Sequence, residues 1–207
     1  MSRKFKWKPS YPFYRGCFHI ARVFLGLFYW IDVRGRDNVP KGSALVCSNH
    51  SSNMDPIFVA FAFGIDYFLH FIAKLVLFKI PVVSFFVSKL GAISVDRDMQ
   101  DIQTVKDTLS YLKKGEKVAI FPEGTRASAV DEVEAKSGAV KIAERAAVPI
   151  IPIYIPRKKR WFKKMPLIIG EPYYIEKSED KRTLEDYNKL SRDLMHRIED
   201  LSKTAAQ

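Results

Sequence analysis

The sequence predicts an α/β sandwich, a mostly parallel central sheet flanked by helices, and three observations lead there. Short apolar runs alternate with longer amphipathic ones along most of the chain. Polar motif blocks fall just after the apolar runs, where strand-to-helix loops hold ligands in open α/β sheets. With 207 residues, 47% of them hydrophobic, and no repeat or low-complexity stretch, the chain can bury one substantial core.

Residues 11–31 are the most apolar N-terminal segment. Arg15, His19, Arg22 and Gly26 recur on it at steps of four, three and four, a narrow polar stripe on an otherwise apolar helix. One Arg at bilayer depth costs about 2.5 to 3.5 kcal/mol on insertion scales. Lying in the interface is cheaper than spanning, so the helix reads as a monotopic anchor, with a core-packed amphipathic helix as the alternative. A signal peptide fits less well, because no small-residue cleavage site follows. The expected organisation is a basic, amphipathic membrane-interface segment over 1–31 and a catalytic domain over 32–207.

Residues 37–42 read as a turn, 43–47 as a short buried strand, and 56–63 as a buried helix bounded by Gly64. The apolar run 67–73 reads as a strand, followed by Lys74 and a helix-like stretch interrupted at Pro81. Residues 91–95 read as another strand. The clearest helix is 98–114, with Ile102, Val105, Leu109 and Leu112 on one face and Gly115 closing it. Residues 117–121 return as a strand. Next come a helix over 135–147, an extended run over 150–155, a short strand over 167–169 before the Gly170-Glu171-Pro172 turn, and an amphipathic helix over 183–205. The motif loops are expected to gather at one edge of the sheet.

Lys and Arg number 34 against 23 acidic residues, a formal net charge of +11, which points to a polyanionic partner. Lipid is favoured over nucleic acid. Both Arg3-Lys4-Phe5-Lys6-Trp7-Lys8 and the basic-aromatic run from Arg157 to Lys164 mix rings with cations, so that rings sit at headgroup depth while cations meet phosphates. The bland reading of each run is a solvated surface, and no helix-turn-helix or RNA-binding signature is present. Cys17 and Cys47 are too few for a disulfide framework and lack zinc-ligand company. Cys47 reads as a small apolar residue in a buried strand rather than a nucleophile. These features fit the cytoplasmic face of a membrane.

The most informative residues are His50 and Asp55, within Asn49-His50-Ser51-Ser52-Asn53-Met54-Asp55-Pro56, echoed by Phe121-Pro122-Glu123-Gly124-Thr125-Arg126. A neutral histidine accepts protons near pH 7, and a carboxylate on its other ring nitrogen fixes the tautomer and stabilises the protonated form. The pair lies on a strand-to-helix loop and points to acyl transfer. Arg126 adds a cation whose guanidinium fork suits an anionic substrate. Thr125 offers a hydroxyl, and Gly124 permits close backbone approach. Glu123 beside an anionic group is repulsive, so it is expected to tether an arginine or contact a substrate hydroxyl.

These residues resemble the glycerolipid acyltransferases, which include bacterial and eukaryotic lysophosphatidic acid acyltransferases. Residues 49–56 look like the family's NHxSxxD block, with its HxxxxD pair at His50 and Asp55 and its serine at Ser52. Residues 91–97 look like the second block, ending in a substrate-contacting arginine, here Arg97. Residues 121–126 match the third block, and 148–153 resemble its proline-containing apolar strand. The likeness covers about residues 32–156, in family order. Ala127 stands where many members carry serine, and Lys136-Ser137-Gly138-Ala139 resembles a basic-glycine segment in which Lys136 is a further phosphate contact.

The resemblance implies transfer of a fatty acyl group from acyl-CoA or an acyl carrier protein to lysophosphatidic acid, with His50 and Asp55 catalytic and no cofactor or metal. It assigns Arg97, Glu123, Gly124, Thr125, Arg126 and Lys136 to substrate binding, with Asn49 and Ser52 in support. Three rival readings remain. They are a serine hydrolase using Ser51 or Ser52, a noncatalytic lipid-surface adaptor, and an acyltransferase for another lysophospholipid or lipid acceptor. No GxSxG elbow supports the first.

Overall fold

The computed structural model describes residues 8–96, 101–124, 136–176, 178 and 180–205. Helix α1 is Tyr11–Phe28, with Pro12 in its first turn, where its fixed φ suits a helix start. It ends earlier than its apolar character suggested. Trp30–Arg34 forms strand β1, so Trp30 and Ile31 pair with a neighbouring strand instead of continuing the helix.

The remaining elements alternate as the sequence implied. They are β2 (Ala44–Ser48), α2 (Asp55–Phe63), β3 (Leu69–Lys74), α3 (Pro81–Lys89), β4 (Ile93–Val95), α4 (Ile102–Lys113), β5 (Lys117–Ile120), α5 (Gly138–Ala146), β6 (Ile150–Tyr154), β7 (Lys164–Ile169) and α6 (Leu184–Ala205). The helix-like stretch after Lys74 breaks at the proline as expected: Leu75–Lys79 is a 3-10 helix, and Pro81 starts α3, its missing N–H falling among donors that a helix start leaves free. Strand β7 begins three residues before the expected 167–169, and Pro166 is accommodated beside Asp32 of β1.

Among the described residues the sheet runs β1-β7-β6-β2-β5-β3-β4. All pairings are parallel except β6 with β7. Strand β2 is central and buried throughout, between β5 and β6. Successive strand residues point to opposite faces, and the core divides accordingly. Ala44 and Val46 join Leu25, Tyr29, Phe58, Val59, Ala62 and Phe63 under α1 and α2. Leu45 and Cys47 join Leu112, Val140, Ile142, Ala143, Leu194 and Ile198 under α4, α5 and α6. Fully burying one such aliphatic side chain contributes about 1.5 to 3 kcal/mol. A charge at Val46 would strand an ion in the first of these cores.

Because β2, β4, β5 and β6 share one direction, their carboxyl ends open onto one edge. That edge receives Asn49 and His50 from β2, Asp96 from β4, Phe121 to Gly124 from β5, and Ile155 to Arg157 from β6.

Candidate active site

Asn49 builds the first turn out of β2. Its side chain is fully buried and faces the backbone of Ile155, donating to the carbonyl at 2.7 Å and accepting from the N–H at 2.9 Å. An amide side chain thus stands in for one more rung of the β2–β6 ladder, the supporting role read from the sequence. Ser52 Oγ accepts the Met54 N–H at 3.2 Å, which tightens the turn into α2.

Asp55 opens α2 and is fully buried. Its Oδ2 accepts from Ser51 N at 2.6 Å and Ser52 N at 2.8 Å and lies 3.0 Å from His50 Nδ1. Its Oδ1 is ion-paired with Lys159 at 2.5 Å. Burial pushes the Asp55 carboxyl upward, but the His50 hydrogen bond, the Lys159 ammonium and the Ser52 N–H outweigh it and hold the group below the ordinary range. An ionised Asp55 at Nδ1 fixes the His50 tautomer with its proton on Nδ1. Nε2 then serves as the acceptor, and it has no protein hydrogen bond among the described residues. The His50 ring lies against Phe121, with centroids 4.2 Å apart and planes 21° from parallel.

Glu123 is buried, and its Oε1 accepts from the His50 backbone N–H at 3.3 Å and from Arg157 Nη2 at 2.8 Å. The same Nη2 donates to Glu199 of α6 at 2.5 Å. Burial raises the Glu123 carboxyl above its ordinary value despite Arg157 and the His50 N–H. Glu123 therefore tethers an arginine, as its awkward charge suggested, and that arginine is Arg157. The sequence assigns neither Arg157 nor Lys159 to the site, since both lie inside a run that reads as lipid-facing.

Beside the dyad, beyond Phe121, lies a cavity of about 400 Å³ whose walls include Asp96, Asp101, Thr104, Gly124 and Lys136. Gly124 has a φ of +68°, and an added Cβ would sit 3.0 Å from Lys136 Cδ and Cε, so the lysine stem packs directly on the glycine. Asp101 caps α4 through the Thr104 N–H at 3.1 Å. Arg97, Thr125 and Arg126 lie outside the described residues, although their neighbours Asp96 and Gly124 line this cavity. A second cavity of about 290 Å³ is apolar and runs between α1, α2 and α3, past Phe18, Ile57, Ala60, Phe61 and Phe71.

Known proteins resemble this chain in sequence and in fold. A family model described as Acyltransferase matches residues 30–156. The chain is 35% identical over 167 residues to a 1-acyl-sn-glycerol-3-phosphate acyltransferase of Bacillus subtilis (strain 168), covering 78% of this chain and 82% of that protein. A chloroplastic enzyme of the same name from Brassica napus is 33% identical over 150 residues, covering 68% of this chain and 43% of its own longer length. The crystal structure of the 1-acyl-sn-glycerophosphate (LPA) acyltransferase PlsC from Thermotoga maritima superposes with a TM-score of 0.65 at 25% identity, covering 93% of this chain and 79% of that one.

Proposed function

Because the chain belongs to the acyltransferase family, we propose that it transfers a fatty acyl group from an acyl thioester to the free hydroxyl of 1-acyl-sn-glycerol 3-phosphate, forming phosphatidic acid. The observation that carries this reading is the buried, ionised Asp55 on His50 Nδ1, with the imidazole stacked on Phe121, which lines the same cavity as Lys136. His50 Nε2 takes the hydroxyl proton as that oxygen attacks the thioester carbonyl. The tetrahedral adduct then collapses, the C–S bond breaks, and the imidazolium returns the proton to the departing thiolate. General-base help of this kind contributes about 10² to 10⁴ in rate.

The acceptor's phosphomonoester carries about −1.5 to −2 charges at pH 7. Lys136 meets it in the cavity, and by resemblance Arg97, Thr125 and Arg126 join it. The apolar cavity beside α2 suits the transferred acyl chain, since it begins next to the element that Asp55 opens. Either acyl-CoA or an acyl carrier protein can present the thioester.

An anionic membrane surface is the proposed working site. Ile20, Val23, Phe24 and Leu27 lie exposed at i, i+3, i+4 and i+7 on α1, while Tyr14 and Leu25 are buried on its other side. Trp161 and Phe162 are exposed beside Phe28, with the Trp161 ring centroid 5.3 Å from that of Phe28, and Lys158, Arg160 and Lys163 flank them. Among the described residues no helix is long and apolar enough to cross a membrane. An exposed apolar stripe next to cations suits the interface.

The hydrolase rival is disfavoured by the serines themselves. Ser51 Oγ donates to the Arg157 carbonyl at 3.1 Å and receives a bond from Lys159 at 2.5 Å, while Ser52 Oγ serves the turn. A mass-spectrometric product screen over a panel of lysolipids and acyl donors tests the proposal. Phosphatidic acid formed only with acceptor present, and lost in His50→Ala, is expected. Acceptor-independent fatty acid as the main product would overturn it.

A further inference from the structure

The segment leaving β6 bends at Arg157 and Lys158, and its basic side chains fall into two environments. Arg157 and Lys159 turn inward, with side chains 11% and 9% exposed, whereas Lys158 and Arg160 face solvent. A run that looks uniformly cationic in sequence is thus divided between the sheet edge and solvent. The inward pair reaches the two carboxylates that hold the histidine loop. Arg157 pairs with Glu123, which grips the His50 N–H, and Lys159 pairs with Asp55, which grips the His50 ring.

We propose that Lys159 is a positioning residue for the His50–Asp55 pair, a cation that locks the second oxygen of Asp55 and moderates the negative charge felt by the imidazole. This rests on the acyl-transfer reading for its consequence in turnover, though not for its geometry. The hydrogen-bonding role of Asp55 toward the histidine loop falls on Oδ2, whereas Lys159 lies 2.5 Å from Oδ1. The Ser51 hydroxyl fixes the ammonium from the other side at 2.5 Å. Without that cation a buried carboxylate keeps a half-compensated charge beside the imidazole, which draws a proton onto the ring. The charged and titratable groups facing this cluster among the described residues are His50, Asp55, Glu123, Tyr154, Arg157 and Glu199. Of these, Arg157 is committed to the two glutamates. Lys159 is therefore the cation that acts on Asp55.

The test reads His50 directly, by the NMR titration of its ring Cε1–H in the full-length protein, alongside the kinetics of phosphatidic acid formation in mixed micelles. Removing a cation adjacent to a carboxylate–imidazole pair favours the imidazolium. In Lys159→Met the His50 midpoint is expected to rise by about half to one pH unit. The acidic limb of kcat should move with it, and kcat at neutral pH should fall about tenfold while the acceptor KM stays within about twofold. Lys159→Gln, which keeps a donor but no charge, should behave like Lys159→Met. Lys159→Arg should restore the wild-type midpoint and most of the kcat.

An unmoved midpoint in folded Lys159→Met or Lys159→Gln overturns the proposal, as does an equal shift in Lys159→Arg. Should both neutral variants lose their melting transition, Lys159→Arg decides alone: a wild-type midpoint supports the role of charge, and a displaced one refutes it. If the wild type makes no phosphatidic acid while the midpoint still moves, the acyl-transfer reading fails and the positioning of the pair stands.

Discussion

Replacing Asp55 by Asn keeps the volume of the side chain and removes its charge, which separates what Asp55 does for catalysis from what it does for stability. The carboxylate faces donors on both sides: His50 Nδ1–H, Ser51 N–H and Ser52 N–H at Oδ2, and the Lys159 ammonium at Oδ1. An amide offers one oxygen. If that oxygen takes the Oδ2 position, its NH₂ points at an ammonium 2.5 Å away. If the amide is turned over, its NH₂ points at the imidazole and two backbone donors.

Either arrangement leaves Lys159 buried without its counter-ion, and breaking a buried pair from one side costs about 3 to 5 kcal/mol. The imidazolium formed during proton transfer loses its partner as well. For triads of this logic the loss is about 10³ to 10⁴ in kcat, equivalent to about 4 to 5 kcal/mol. Thermal melts and phosphatidic acid formation, measured for Asp55→Asn, Lys159→Met and the double variant, complete a cycle. The double variant should regain much of the lost stability, because no buried charge is left alone, and none of the lost turnover. Retention of more than about one-tenth of wild-type kcat by Asp55→Asn would refute the assignment. Failure of Lys159→Met to restore the melting temperature would refute the electrostatic account of its stability.

Asp55 also sets a pH dependence. Its folded value lies below the ordinary 3.8, so its contribution to stability is complete above 3.8 and is lost as pH falls through the depressed value. The melting temperature of wild type should therefore drop more steeply below pH 4 than that of the Asp55→Asn/Lys159→Met variant. Asn49→Ala removes two buried bonds to Ile155 and orphans both backbone groups, and denaturant titration should show a loss of about 2 to 4 kcal/mol. Gly35 has a φ of +78°, and an added Cβ would lie 2.0 Å from the Ile169 carbonyl oxygen. Gly35→Ala should cost at least about 3 kcal/mol, read in the same titration. Ala60 lines the apolar cavity, and Ala60→Phe should shift product profiles toward shorter transferred chains at little cost in turnover of the shortest donor; an unchanged profile would separate that cavity from the acyl chain.

What could be read from the sequence, and what could not, divides along the range of the interactions involved. The strand at 43–47, the helix from residue 56 and the loop between them follow from apolar period and from Pro56 and Gly64, all of which act over a few residues. The His50–Asp55 contact is equally local, since one turn into a helix brings residues five apart together. Strand β1 is hidden in the sequence because Trp30 and Ile31 extend the apolar character of α1, and the partner that makes them a strand, Lys164–Ile169, is remote in sequence. Lys159 and Arg157 are hidden for a related reason: they meet carboxylates 104 and 34 residues away (159 − 55; 157 − 123), and composition alone gives every lysine in a cationic run the same description. A signal was nevertheless present. Residues 150–155 already read as extended, so the basic residues that follow emerge at the edge where the motif loops gather, and a cation turned inward there persists only beside a buried acid. The fold had already supplied two such acids at the ends of the adjacent strands, Asp55 beyond β2 and Glu123 beyond β5. Once the parallel order β6-β2-β5 is known, the inward cations and the catalytic loop must meet at the same edge.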